Sequence, residues 1–216
     1  MYSAIVFDLD GVLIESNSSW EKLHDYFGVD EEKRKENMRR YFSKEIDYGQ
    51  WIREDISLWK REGILPHKRE IETALEGLRF IDGARECIKI LKENSFSLFI
   101  VSAGIDLLAQ NAGRTLGIDK IWANGFQYDE DGFLSGQDIW RVDLLRKDIV
   151  MNYIIGKYNL KQEEIVSVGD SKYDIPMFDL SGFSIAFDPK DDEVASRANV
   201  TIHEKNLLRI LDYIKL

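Results

Sequence analysis

Polar residues that could handle a phosphate group stand directly after short apolar runs typical of buried strands. They are Asp8 and Asp10 after residues 4–7, Ser102 after residues 97–101, and Asp170 with Asp174 after residues 165–168. In an open parallel sheet the carboxyl ends of the strands meet at one edge, and ligands bind there. We therefore expect four carboxylates and a serine hydroxyl to converge on one site.

The chemistry that these groups favour is metal and phosphate binding. Two carboxylates as close in the chain as Asp8 and Asp10 repel each other unless a cation lies between them. Carboxylate oxygens are the ligands that Mg²⁺ prefers. Ser102, followed by Ala103 and Gly104, would offer a hydroxyl and free backbone N–H groups where a helix begins, which suits an anion.

Each group taken alone also has an ordinary structural explanation. Asp8 and Asp10 fit a solvated turn, and Asp170 and Asp174 fit the cap and first turn of a short helix. Ser102 fits a turn serine. Their occurrence together after three strands favours the functional interpretation.

The remaining pattern indicates which elements position these residues. Further apolar runs at 183–187 and 199–202 predict two more strands, and residues 121–137 predict a strand pair with a turn at 128–133. Strands that alternate with helices predict an α/β fold, a doubly wound, Rossmann-like parallel sheet. The predicted helices of this core cover residues 83–94, 105–116, 143–158, 174–180 and 204–214.

Residues 16–80 interrupt this alternation, since they are charged, helix-rich and without a convincing strand. We interpret them as a small helical cap inserted into a core of residues 1–15 and 81–216. Pro66 is expected in the first turn of a helix that ends near Gly77. Aromatic residues recur in the cap at helical spacing, which favours packing over substrate contact.

Composition excludes several classes of protein. The net charge of −10 argues against nucleic-acid binding, and no apolar run approaches the roughly 20 residues that cross a bilayer. The first residues lack the features of a signal peptide. The single cysteine, Cys87, fits a reducing compartment. We therefore expect a cytoplasmic monomer or homodimer that acts on a small phosphorylated metabolite, with no nucleic-acid or membrane partner.

The motifs resemble those of the haloacid dehalogenase superfamily, and within it the phosphoserine-phosphatase-like branch with a small helical cap. Residues 7–13 (FDLDGVL) match the first motif, residues 101–104 (VSAG) the second and residues 169–178 (GDSKYDIPMF) the fourth. The third motif is a lysine some twenty residues before the fourth. Lys147 fits that position, and Lys157 is the alternative.

The resemblance implies roles for the motif residues. Asp8 would attack phosphorus and form an aspartyl-phosphate, and Asp10 would act as general acid and then general base. Ser102 and Lys147, with the backbone of Ala103, would hold the phosphate oxygens. The implied activity is that of a phosphatase acting on a phosphomonoester.

The resemblance also implies Mg²⁺ as the cofactor. The metal would be held by Asp8, the backbone carbonyl of Asp10 and Asp170, with Asp174 beside it directly or through water. The ion would stabilise charge on the transferred phosphoryl group.

The sequence differs from this branch at the positions where its phosphoserine enzymes bind their substrate. Asn17 stands at the place of a glutamate in the cap hinge, and Asp55 falls near the place of a cap arginine, with Arg53 two residues away. Tyr173 and Gly11 are further departures. These differences argue against phosphoserine as substrate. The candidates for the cap side of the pocket are Glu15, Asn17, Trp20, Trp51 and Arg53.

Two alternatives to a phosphatase stay open at this level. One is a phosphotransferase or mutase of the same superfamily, which would pass the phosphoryl group to a second substrate. The other is a non-catalytic binding protein that kept the fold, although the sequence lacks none of the expected motif residues.

Overall fold

The computed structural model describes residues 1–215 and places seven strands in one sheet. In chain order the strands are β1 (Ala4–Phe7), β2 (Ser97–Ile105), β3 (Lys120–Tyr128), β4 (Leu134–Ile139), β5 (Ile165–Gly169), β6 (Phe183–Phe187) and β7 (Val200–Ile202). Their order across the sheet is β4-β3-β2-β1-β5-β6-β7. The chain thus winds outward in both directions from the central strand β1, as predicted for a doubly wound fold.

Pairing within the sheet is parallel except at one edge. Ala4 of β1 lies opposite Ser97 of β2 on one side and Ile165 of β5 on the other, in parallel register. The edge strand β4 runs antiparallel to β3, and their turn includes Gly132, so the predicted strand pair is confirmed. Because β1, β2 and β5 run the same way, their carboxyl ends share one edge of the sheet.

The helices in chain order are α1 (Ser19–Phe27), α2 (Glu31–Phe42), α3 (Tyr48–Ser57), α4 (Lys68–Leu75), α5 (Ala84–Glu93), α6 (Asp106–Leu116), α7 (Lys147–Tyr158), α8 (Ile175–Phe178) and α9 (Asp192–Arg197). Successive residues of β1 face opposite sides of the sheet. Ile5 and Phe7 pack in the same apolar cluster as Cys87 of α5. Ala4 and Val6 pack in a second cluster with helix α7. Helices therefore cover both faces, which explains why β1 is apolar at every position.

Several predicted elements have different bounds. The C-terminal helix expected over 204–214 is a 3₁₀-helix, Leu207–Tyr213, and α9 was not predicted. Strand β2 continues to Ile105, four residues beyond the predicted end. Pro66 precedes the N-cap residue His67 of α4 instead of lying in the first turn of the helix.

Helices α1 to α4 form the segment expected to be a cap. The two chains that connect this segment to the sheet run side by side: the N–H of Glu15 donates to the carbonyl of Arg79 at 2.7 Å, and the N–H of Ile81 donates to that of Leu13 at 3.0 Å. This pairing lies at the boundaries expected from the sequence. The division of the chain into a core and a cap domain stays a prediction.

No helix within residues 1–215 has the length and apolar character needed to span a membrane.

Candidate active site

Asp8 and Asp10 lie at the carboxyl end of the central strand and are both buried. The N–H of Asp8 donates to the carbonyl of Val168 at 2.9 Å, which extends the pairing of β1 with β5 by one residue. The following turn is tight, since the carbonyl of Leu9 accepts from the N–H of Leu13 at 3.0 Å. The backbone thereby brings both carboxylates to the edge where β1, β2 and β5 end.

Asp10 is held by the first residue of α1. Its Oδ2 accepts from the N–H of Ser19 at 3.1 Å and from the Ser19 hydroxyl at 2.9 Å. The hydroxyl of Ser19 in turn accepts from the N–H of Ile105 at 3.1 Å. The other oxygen of Asp10, Oδ1, is buried without a hydrogen-bond partner among the described residues. One oxygen thus fixes the direction of the carboxylate, and the other has no partner within residues 1–215.

Three carboxylates form a buried cluster suited to a divalent cation. Asp8, Asp170 and Asp174 each offer an oxygen, and these oxygens lie within 4.8 Å of one another. Burial, together with the charges of Asp174 and Asp8, raises the pKa of Asp170 to about 8. Buried carboxylates this close repel each other, and a divalent cation would relieve the repulsion. The donor set therefore fits a divalent metal ion.

Asp174 also holds the loop that carries Asp170. Its Oδ2 accepts from the N–H groups of Asp170 at 3.0 Å and Ser171 at 3.1 Å. Its Oδ1 lies 2.6 Å from the ammonium of Lys147. Since both oxygens are occupied, Asp174 orients the loop that carries Asp170.

Lys147, at the start of α7, lies inside the site. Its side chain is 2% exposed, and its Nζ is 2.9 Å from Oδ1 of Asp8. Burial lowers the pKa of Lys147, but the charges of Asp174 and Asp8 outweigh this effect and raise it, so the ammonium stays charged. The alternative, Lys157, is exposed, with its ammonium 5.3 Å from the ring centre of Tyr153. The geometry brings only the first of these two lysines to the carboxylates.

The sequence interpretation missed Lys190. Its Nζ lies 2.6 Å from Oδ2 of Asp170 and donates to the carbonyl of Asn17 at 2.8 Å. Its position three residues after the end of β6 gave only a weak signal, because Asp188 is the first polar residue after that strand. Gly11 makes room for this contact: a Cβ there would lie 1.7 Å from Oδ2 of Asp170.

Ser102 and Ala103 occupy the end of β2 and do not begin a helix, contrary to expectation. The pairing of β2 with β3 shifts register between Val101 and Ile105, and α6 starts only at Asp106. The N–H of Gly104 donates to the Ser102 hydroxyl oxygen at 3.0 Å, so this amide is not free for an anion. The Ser102 hydroxyl proton remains available to a ligand.

The carbonyl of Ala103 is fixed by side chains from three distant segments. It accepts from the indole N–H of Trp20 at 3.1 Å and from the amide of Asn124 at 3.0 Å, and the Tyr48 hydroxyl lies 3.4 Å away. Asn124 also donates to the carbonyl of Val142 at 2.8 Å. Asn124 and Tyr48 were not predicted, because their contacts join residues that are far apart in the chain and no local sequence pattern indicates them.

One cavity of about 420 Å³ lies between the sheet edge and helices α1 to α3, and it is lined on the sheet side by Asp8, Asp10, Ser102, Lys147, Asp170 and Lys190. Three of the five cap candidates, Asn17, Trp20 and Trp51, are among the lining residues. Glu15 and Arg53 are absent from its lining. Glu15 is exposed at the connection to the sheet. Arg53 instead pairs with Asp138 of β4, with 3.0 Å between its guanidinium and the carboxylate.

The sequence matches a known family over most of its length. The family model described as haloacid dehalogenase-like hydrolase matches residues 2–182. A phosphoserine phosphatase of Methanocaldococcus jannaschii is 31% identical over 214 residues, which cover 98% of this chain and 97% of the relative. A phosphoserine phosphatase of Archaeoglobus fulgidus is 29% identical over 98% of this chain, but over 60% of its own length.

Solved structures agree with these matches. A substrate-bound phosphoserine phosphatase complex superposes with a TM-score of 0.82 at 28% identity, over 100% of this chain and 99% of the other. A phospho-aspartyl intermediate analogue of phosphoserine phosphatase superposes with a TM-score of 0.81 at 28% identity, over 99% of both chains. The similarity therefore extends from the sheet through the helices that enclose the cavity.

Proposed function

Because the chain belongs to the haloacid dehalogenase-like hydrolases, we propose that it is a metal-dependent phosphatase that hydrolyses a small phosphomonoester. The observation that carries the proposal is the position of Lys147 between Asp8 and Asp174, 2.9 and 2.6 Å away. A buried ammonium beside a buried carboxylate cluster, at the base of a cavity, is suited to an anionic ligand. The size of the cavity, about 420 Å³, fits a small metabolite.

Asp8 is the proposed nucleophile. Attack of its carboxylate on phosphorus would form an aspartyl-phosphate and release the alcohol, which divides one difficult displacement into two easier steps. Lys147 lowers the repulsion between this carboxylate and the incoming phosphate. A structure of a similar phosphoserine phosphatase is named as an analogue of such a phospho-aspartyl intermediate.

Asp10 is the proposed general acid and base. Its unpartnered Oδ1 would donate a proton to the leaving oxygen and later accept one from the attacking water. The two bonds from Ser19 hold Oδ2, so the carboxylate keeps a fixed direction through both steps.

The proposed cofactor is Mg²⁺, which would be held by Asp8, Asp170 and the backbone carbonyl of Asp10, with Asp174 supporting Asp170. When bound, such an ion stabilises the charge that develops on phosphoryl oxygens. Lys147 and the Ser102 hydroxyl would hold those oxygens from the protein side, together with the backbone at Ala103. Removing one donor of this kind commonly costs about 10²–10³-fold in rate.

The test is release of phosphate from p-nitrophenyl phosphate, measured with Mg²⁺ and with EDTA. We expect turnover that depends on the metal and is lost in Asp8→Asn. Asp212→Asn makes the same chemical change at an exposed position outside the cavity and serves as the matched control. Full activity of Asp8→Asn, or activity indifferent to EDTA, would refute the proposal.

A further inference from the structure

A buried carboxylate on the cap side of the cavity has no role in the chemistry described so far. Asp55, on α3, lines the same cavity as Asp8 and is 6% exposed. Its Oδ1 accepts from the amide of Asn37 at 2.8 Å, and its Oδ2 lies 3.3 Å from Nε2 of His24. Each oxygen keeps one lone pair for a further donor.

The protonation of His24 follows from its other neighbour. The indole N–H of Trp59 donates to Nδ1 of His24 at 3.1 Å. Indole nitrogen is a donor only, so Nδ1 must act as acceptor and carry no proton. His24 is therefore the neutral tautomer that donates from Nε2 to Asp55. Both partners of Asp55 are uncharged, and neither balances its negative charge.

The cations that line this cavity are already paired with acids, whereas Asp55 forms no ion pair with a lysine or arginine among residues 1–215. The lining cations and their partners are Arg34 with Asp25 at 3.0 Å, Lys35 with Glu31 at 2.7 Å, Lys190 with Asp170 at 2.6 Å, and Lys147 with Asp8 and Asp174. A carboxylate on the leaving group of a substrate would be repelled by Asp55, because no lysine or arginine within residues 1–215 pairs with Asp55 to offset that repulsion. A positively charged leaving group could instead pair with the Asp55 carboxylate, whose charge is not balanced by a lysine or arginine.

Aromatic side chains in the same cavity as Asp55 favour the same charge. Trp20, Tyr48 and Trp51 line the cavity. The rings of Trp20 and Trp51 are held in place, the first by its bond to the Ala103 carbonyl and the second by stacking on Tyr41 with 4.8 Å between ring centres. The face of an indole ring attracts cations.

Building on the phosphatase proposed above, we infer that the leaving alcohol of the substrate carries an ammonium group and no carboxylate. The substrate class is the phosphate monoester of an amino alcohol, and Asp55 is the residue that selects it. The phosphate end of such a molecule contacts Lys147 and Ser102, and its ammonium end contacts Asp55.

The experiment compares kcat/KM of the Mg²⁺-loaded protein for four phosphates: O-phosphoethanolamine, O-phosphoserine, glycerol 3-phosphate and glucose 6-phosphate. One hydrogen-bonded contact to a charged group corresponds to a preference of about 10- to 100-fold for phosphoethanolamine over glycerol 3-phosphate. In Asp55→Asn we expect that preference to fall to less than threefold. Glu54→Gln makes the same change in charge one residue away on α3, outside the cavity, and should keep the preference.

The preference of the unmodified protein tests the inference without any variant, so a folding defect of Asp55→Asn cannot obscure it. A preference for phosphoserine, glycerol 3-phosphate or glucose 6-phosphate would overturn it. So would an equal loss of preference in Asp55→Asn and Glu54→Gln. Turnover of p-nitrophenyl phosphate is measured in parallel. If this turnover is present, the results above contradict only the choice of substrate and the proposed phosphatase activity is retained. If this turnover is absent, both proposals are wrong.

Discussion

Replacing Gly11 by alanine tests whether Asp170 is a metal ligand. Gly11 has φ +84°, and an added Cβ would lie 1.7 Å from Oδ2 of Asp170. Cβ contacts below 3.0 Å are essentially never found, so the carboxylate must withdraw by about 1.3 Å. Mg²⁺ holds its oxygen ligands at roughly 2.0–2.1 Å with little tolerance. A displacement of this size would therefore move Asp170 out of reach of the proposed metal ion.

The chain offers a matched control for the backbone cost of this change. Gly63 has the same φ of +84°, and its Cβ would meet no atom within 4 Å. Alanine in a left-handed conformation costs about 1–2 kcal/mol of stability at either position. Only Gly11→Ala adds the collision with Asp170.

The assay is phosphate release measured against Mg²⁺ concentration. We expect the half-activating concentration to rise by about 10- to 100-fold in Gly11→Ala, the usual cost of disturbing the support of a metal ligand. Gly63→Ala should match the unmodified protein. If the two variants required the same Mg²⁺ concentration, the assignment of Asp170 to the metal would be wrong.

Three further predictions concern stability and reactivity. Lys147→Met should lower the free energy of unfolding by about 3–5 kcal/mol in urea with EDTA, because two buried carboxylates lose their shared cation. Lys157→Met should cost at most about 1 kcal/mol, and equal losses would contradict this reasoning. Asn124→Leu should cost about 3 kcal/mol or more in the same assay, because it leaves buried backbone groups unpaired; a loss below about 1 kcal/mol would refute that. Burial raises the pKa of the Cys87 thiol to about 12. At pH 8 only about one thiol in 10⁴ is then ionised, so Ellman's reagent should react only after unfolding. Prompt colour in native buffer would show the thiol to be accessible.

The proposed catalytic edge of the sheet could be predicted because its signals are local. Buried parallel strands read as continuous apolar runs, and a polar residue directly after such a run lies at the ligand-binding edge. This rule found Asp8, Ser102 and Asp170, which line one cavity. Applied to β6, the rule would have selected Asp188, which pairs with Lys205 outside the cavity, whereas Lys190 lies two residues further along the chain. The spacing to the fourth motif favoured Lys147 and kept Lys157 as the alternative, and only the fold showed which lysine lies beside the carboxylates.

The cap side of the cavity was less predictable because its contacts join distant segments. Arg53 looked like a substrate ligand beside Asp55, but Asp138, far along the chain, pairs with it. The bonds of Asn124 to the Ala103 and Val142 carbonyls have no local pattern either.

The sequence by itself determined the alternation of strands and helices and the acids and serine that follow the strands, because these depend on neighbours within a few residues. Tertiary structure alone decided which charges are paired. Whether Asp55 is balanced depends on α1 and α2 packing against α3, which brings the neutral His24 and Asn37 to it. A sequence shows which groups can be charged, but only packing shows which of them remain uncompensated inside a cavity, and that remaining charge selects the substrate we propose.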